Sequence, residues 1–108
     1  MSSKGYLMNA DLKDSILNAF KSFDPEKIIL FGSHARSESD QWSDIDLIVI
    51  YETDKAFLDR LKELYLAWKI PKAVDILAYT PEEFNRMTLE SPFVQDAVAE
   101  GQVLYEKH

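Results

Sequence analysis

The chain contains no cysteine, so neither a disulfide framework nor a thiolate metal site is open to it. It is short of positive charge: 12 lysines and arginines stand against 19 aspartates and glutamates, for a net charge of -7 and a pI near 4.7. A phosphate-backbone partner normally meets a basic face, so this balance argues against nucleic acid. It also implies that a nucleotide ligand would arrive with its metal. No apolar run is long enough to cross a membrane, and no signal-peptide pattern opens the chain. The cytoplasm is therefore the expected location. Internal repeats, low-complexity stretches and linkers are also lacking.

What is present is an ordinary globular composition, 46% hydrophobic and 29% charged over 108 residues. That is enough for one small domain, residues 1–108, with a single core. From Ala10 to Phe23 the apolar positions Leu12, Ile16, Leu17, Phe20 and Phe23 follow helical spacing, and Asp24-Pro25 stops them. Ile28–Phe31 and Leu47–Ile50 are apolar runs bounded by turn signals and predict buried strands, the second extending back over Asp44–Ile50. Asp54–Trp68 predicts a second amphipathic helix with the stripe Phe57, Leu58, Leu61, Leu64, Tyr65 and Trp68, followed by a strand over Ala73–Tyr79. Strand, helix and strand in that order form a crossover that gives parallel neighbours. Thr80-Pro81-Glu82-Glu83 carries a helix start with a capping box, Ser91-Pro92 repeats the signal, and Gly101 is the stop. Phe84, Met87, Leu89, Phe93, Val94, Ala97 and Val98 supply apolar surface that either completes the core or forms a binding face. Val103–Tyr105 fits a last short strand. The fold class is α/β, a small mixed sheet with helices packed on it.

The chemistry lies between the first two strands. Gly32 can approach a ligand closely, and Ser33 is a good N-cap for a turn through His34, Ala35 and Arg36. A helix N-terminus suits phosphate, although Gly-Ser alone is more often an ordinary strand-to-helix turn. In a strand, Asp44 and Asp46 point to the same side. Paired carboxylates repel unless a counter-charge joins them, and oxygen donors suit Mg²⁺ or Mn²⁺. An isolated Asp-x-Asp is more often a solvated strand end. Asp75, inside the apolar run Val74–Leu77, makes a third carboxylate. If its strand lies beside the Asp44–Ile50 strand, the three can hold two metal ions about 4 Å apart for nucleotidyl displacement. Glu38 and Asp40 read as solvated loop residues, and Trp42 as a cap on the sheet edge.

Gly32-Ser33-His34-Ala35-Arg36, then Ser43-Asp44-Ile45-Asp46-Leu47, then a strand carrying Asp75, closely resembles the minimal nucleotidyltransferases of the polymerase-beta-like superfamily. Ser37 stands where that family usually has glycine. The resemblance implies the polymerase-beta-like fold. It implies a nucleoside triphosphate, ATP among the candidates, as substrate with two Mg²⁺ ions. Asp44, Asp46 and Asp75 would be catalytic and metal-ligating, and Gly32, Ser33, Arg36 and Ser43 would bind the nucleotide. It also implies a small all-helical HEPN partner whose tyrosine accepts the nucleotide, so that this chain acts as its antitoxin in a homo- or hetero-oligomer. A non-catalytic nucleotide- or partner-binding subunit and a small-molecule nucleotidyltransferase are the alternative readings.

Overall fold

A strand that is apolar on both sides needs cover on both sides. A computed structural model, which describes residues 10–32, 35 and 44–107, shows how that cover is supplied. The element order is α1 (Ala10–Phe20), a 3₁₀ turn (Lys21–Phe23), β1 (Lys27–Phe31), β2 (Ile45–Ile50), α2 (Phe57–Ala67), β3 (Val74–Tyr79), α3 (Pro81–Glu90), α4 (Pro92–Glu100) and β4 (Gln102–Glu106). The strands form one sheet in the order β3-β2-β1-β4. Only the β2–β3 pair is parallel; β1 runs antiparallel to both β2 and β4.

Strand parity divides the core in two. On one face Ile28, Leu30, Leu47, Val49, Ile76 and Ala78 pack under Ile16 and Phe20 of α1 and Leu64 of α2. On the other, Ile29, Ile48 and Ile50 pack under Phe84 of α3 and Val94 and Ala97 of α4. The structure is therefore a sheet between two helical layers, mixed α/β as its sequence predicts.

The element ends have local causes. Asp24 ends the first helical segment in the left-handed region, φ 52°. Proline at the next position disfavours helical angles there, and aspartate tolerates the left-handed region better than most residues. The Thr80 side chain accepts from the Glu83 N–H at 3.1 Å while a Glu83 oxygen accepts from the Thr80 N–H at 3.0 Å, completing the expected capping box. Gly101 ends α4, but with φ −81° it is no left-handed cap. Glycine is needed there because a Cβ would lie 2.6 Å from the Ala97 carbonyl oxygen and 2.9 Å from that of Leu30. β4 follows, one residue longer at each end than its predicted core.

The α2 stripe differs from expectation. Leu58 is 75% exposed, while Arg60 is buried. β3 is an edge strand, and α2 covers its open backbone groups with side chains. The Tyr65 hydroxyl accepts from the Ile76 N–H at 3.0 Å, and Arg60 Nη1 donates to the Ala78 carbonyl at 3.3 Å. Leu58 therefore yields the inner position to a polar residue that can satisfy that edge. Arg60 also makes a forked pair with Glu83, 2.6 Å and 3.1 Å, joining α2 to the start of α3. Hydrogen bonding from Arg60 holds the Glu83 carboxyl below its ordinary value of 4.5. A depressed carboxyl contributes stability above its unfolded pKa and loses it as pH falls through the folded one. Glu83→Gln is expected to lower the unfolding free energy by about 2–3 kcal/mol at pH 7, since it leaves a buried guanidinium without its partner. Urea melts of wild type and variant should converge as pH drops below 4.5.

Candidate active site

Asp46 sits on β2 with the same parity as Ile48 and Ile50, so it belongs to the α3/α4 side of the sheet. The pairing register gives it two direct neighbours: Phe31 of β1 on one side and Asp75 of β3 on the other. Phe31, Asp46 and Asp75 thus form a row across three strands, with neighbours about 4.8 Å apart. The next row, Ile29, Ile48 and Leu77, is apolar. Asp46 is half-buried and Asp75 exposed. Adjacent like charges on one sheet face are unfavourable in themselves.

Asp44 stands immediately before β2 and is exposed. The strand begins at Ile45, whose N–H donates to the Ala73 carbonyl at 3.0 Å, rather than at Asp44. The structure therefore brings Asp46 and Asp75 together and leaves Asp44 at the margin. Among the described residues no three His, Asp or Glu side chains are grouped so as to hold a metal ion.

Gly32 follows Phe31 with φ +76°, a region that side-chain-bearing residues rarely adopt. A Cβ on it would overlap Asp46 Oδ2 and lie 3.2 Å from Asp46 Cγ. The turn backbone is thus pressed against the carboxylate. Ala35, buried in the same segment, is tied to β4 through its carbonyl, which accepts from Gln102 Nε2 at 3.1 Å. Ser33, Arg36 and Ser43 lie outside the described residues, as do His34, Ser37, Glu38, Asp40 and Trp42.

Several other described groups have shifted proton affinities. Tyr51, just past the end of β2, is raised by burial and by its 2.8 Å hydrogen bond to Glu63. Glu63 is lowered chiefly by its hydrogen bond from Lys55, and Tyr79, at the end of β3, is raised by burial. With Arg60 and Glu83 these groups form an ionic lattice at the opposite end of the central strands. Shifted groups often mark functional sites; here they mark the seam between α2 and the sheet. Sequence periodicity missed Arg60, because a charged residue inside an amphipathic helix gives no sign of which face it occupies.

A sheet of this order, with two neighbouring aspartates on one face and a glycine turn against them, is the frame of a nucleotidyl-transfer enzyme. The sequence profile described as the nucleotidyltransferase domain matches residues 13–105, and the chain belongs to that family. It is 32% identical over 81 residues to a candidate protein adenylyltransferase of Methanocaldococcus jannaschii, covering 74% of this chain and 78% of that one. It is 39% identical over 61 residues to a protein of Haemophilus influenzae named as the protein adenylyltransferase MntA, covering 53% and 54%. Two solved structures share the fold. One is a nucleotidyltransferase-like protein from Sulfolobus solfataricus, with a TM-score of 0.62, 22% identity, and 88% and 77% coverage. The other is described as a toxin-antitoxin with AMP-PNP, with a TM-score of 0.62, 24% identity, and 89% and 74% coverage.

Gly32→Ala is expected to lower the unfolding free energy by about 1–2 kcal/mol from its left-handed backbone alone, and further from displacement of Asp46. Urea melts of the two proteins read the difference.

Proposed function

We propose that this nucleotidyltransferase moves AMP from ATP to a hydroxyl on a partner protein, a tyrosine of a small all-helical HEPN-type toxin, and so acts as its antitoxin. The observation that carries the reading is the register pairing of Asp46 with Asp75 beneath the Gly32 turn. Two relatives bear the name protein adenylyltransferase, and one protein of the same fold is described as a toxin-antitoxin with AMP-PNP. Both facts favour a protein acceptor and an adenine nucleotide.

The donor set fits magnesium. The ion prefers hard oxygen ligands and is commonly held by one or two carboxylates together with substrate phosphates, so it needs no preformed trio. Asp46 and Asp75 are such a pair, and Asp44, two residues before Asp46, adds a third oxygen donor at the margin. Asp44 and Asp46 would hold both ions and Asp75 the second. Bound magnesium supplies neutralisation of the charge that gathers on the phosphate.

The chain's own groups do the positioning. The Gly32 backbone, with no side chain in the way, lets the phosphates come close to the Asp46 carboxylate. Ser33, Arg36 and Ser43 complete the phosphate contacts. Exposed Asp75 takes the proton from the acceptor hydroxyl on a carboxylate oxygen. The acceptor oxygen then bonds to the α-phosphorus in line, the α–β phosphoanhydride bond breaks, and pyrophosphate leaves. Alignment accounts for much of the acceleration in such transfers.

One observation favours a second reading, a non-catalytic binding subunit: Ser37 stands where the family usually has glycine. One experiment separates the two. Wild type is incubated with the HEPN-type partner, ATP and MgCl₂, and the partner is weighed by mass spectrometry. The partner is expected to gain AMP. Asp46→Asn and Asp75→Asn are each expected to slow the gain by at least about 100-fold, the scale of a lost electrostatic contact to the reacting group. Chelation with EDTA should stop it. A partner that is neutralised without any gain in mass overturns transferase action and leaves the binding subunit.

A further inference from the structure

The row Phe31–Asp46–Asp75 does not end at β1. Phe31 meets a second ring, Phe93 in the first turn of α4, edge-on, with centroids 5.8 Å apart and planes at 88°. Phe93 is 56% exposed, although its helix buries Val94 and Ala97 against the sheet. Its backbone is held firmly. The Ser91 side chain accepts from the Val94 N–H at 3.2 Å, and the Ser91 carbonyl accepts from the Gln95 N–H at 2.9 Å. Gln95 Nε2 donates back to the Thr88 carbonyl at 3.1 Å, locking the α3–α4 corner. A large ring left half in water is unfavourable on its own. Here it is fixed and supported from one side by Phe31, the direct cross-strand neighbour of Asp46.

We propose that Phe93, backed by Phe31, is the platform on which the base of the nucleoside triphosphate stacks. The inference rests on the nucleotidyl-transfer reading above and adds a substrate-binding residue to it. The sides of the row assign the two substrates. Phe31 and the Gly32 turn lie on the β1 side of Asp46, which in an in-line transfer is the side of the leaving pyrophosphate; the ribose and base then project across that line, on the α3/α4 face of the sheet where Phe93 stands against Phe31. Asp75 lies on the β3 side and is exposed, which leaves that side to the acceptor hydroxyl. A ring presents a face that any base can use, because every base has a π-surface. The platform therefore contributes affinity while discriminating little among bases.

The test measures binding of ATP, GTP, CTP and UTP, with inorganic tripolyphosphate as a control, to wild type and to Phe93→Ala, Phe93→Leu and Phe93→Trp in the presence of MgCl₂. Phe93→Leu keeps an apolar contact with Phe31 but has no ring, which separates stacking from folding. Phe93→Ala and Phe93→Leu should weaken all four nucleotides by about tenfold, within the range for stacking one base on one ring. Tripolyphosphate should bind all variants alike, and Phe93→Trp should bind nucleotides at least as tightly as wild type. Unchanged nucleotide affinity in Phe93→Leu, with wild type binding normally, overturns the platform alone. So does a loss confined to the KM for the acceptor protein, which would assign the ring to the partner. Wild type that binds no nucleotide overturns the platform and the transfer reading together.

Discussion

The parallel register between β2 and β3 is the constraint on which the site depends. It places Asp46 directly beside Asp75, with their side chains on one face. Two carboxylates so placed oppose the pairing that brings them together. The pairing persists because the rest of the ladder is apolar: Leu47 opposite Ile76, Ile48 opposite Leu77 and Val49 opposite Ala78. Slipping the register by one residue would separate the aspartates, but it would also turn each of these buried side chains to the wrong layer. The hydrophobic pattern thus enforces an electrostatic arrangement that no local preference would choose.

The edge of the sheet needed a different solution. Among the described residues β3 has no neighbour beyond it, and an open strand edge invites pairing with another chain. α2 answers with Tyr65 and Arg60, whose polar ends meet the Ile76 N–H and the Ala78 carbonyl. The forked contact of Arg60 with Glu83 extends the same guard to α3. The polarity buried in α2 is thus a property of the sheet, imposed on the helix.

Much of this was legible in the residues. Among the described residues, periodicity and caps located the four helices and four strands, because apolar runs and amphipathic stripes were long and the caps at Thr80 and Ser91 were explicit. The crossover through α2 correctly implied that Asp75 would stand beside Asp46. Finer features depended on tertiary contact. Leu58 fits the apolar stripe as well as Leu61 does, and nothing local reveals that the inner position goes to Arg60. Gly101 looks like a left-handed cap, yet the close passage of Leu30 and Ala97 is what demands glycine. Phe93 was one of several apolar residues near the C-terminal end, and only its contact with Phe31 ties it to the row of aspartates.

The direct pairing of Phe31 with Asp46 has an evolutionary corollary. Gly32 and Asp46 lie on either side of one connecting segment, yet their separation is set by cross-strand pairing and not by the number of residues in between. Lengthening a surface connection has only a small entropic penalty. Insertions between Gly32 and Asp44 therefore need not move Gly32 away from the Asp46 carboxylate.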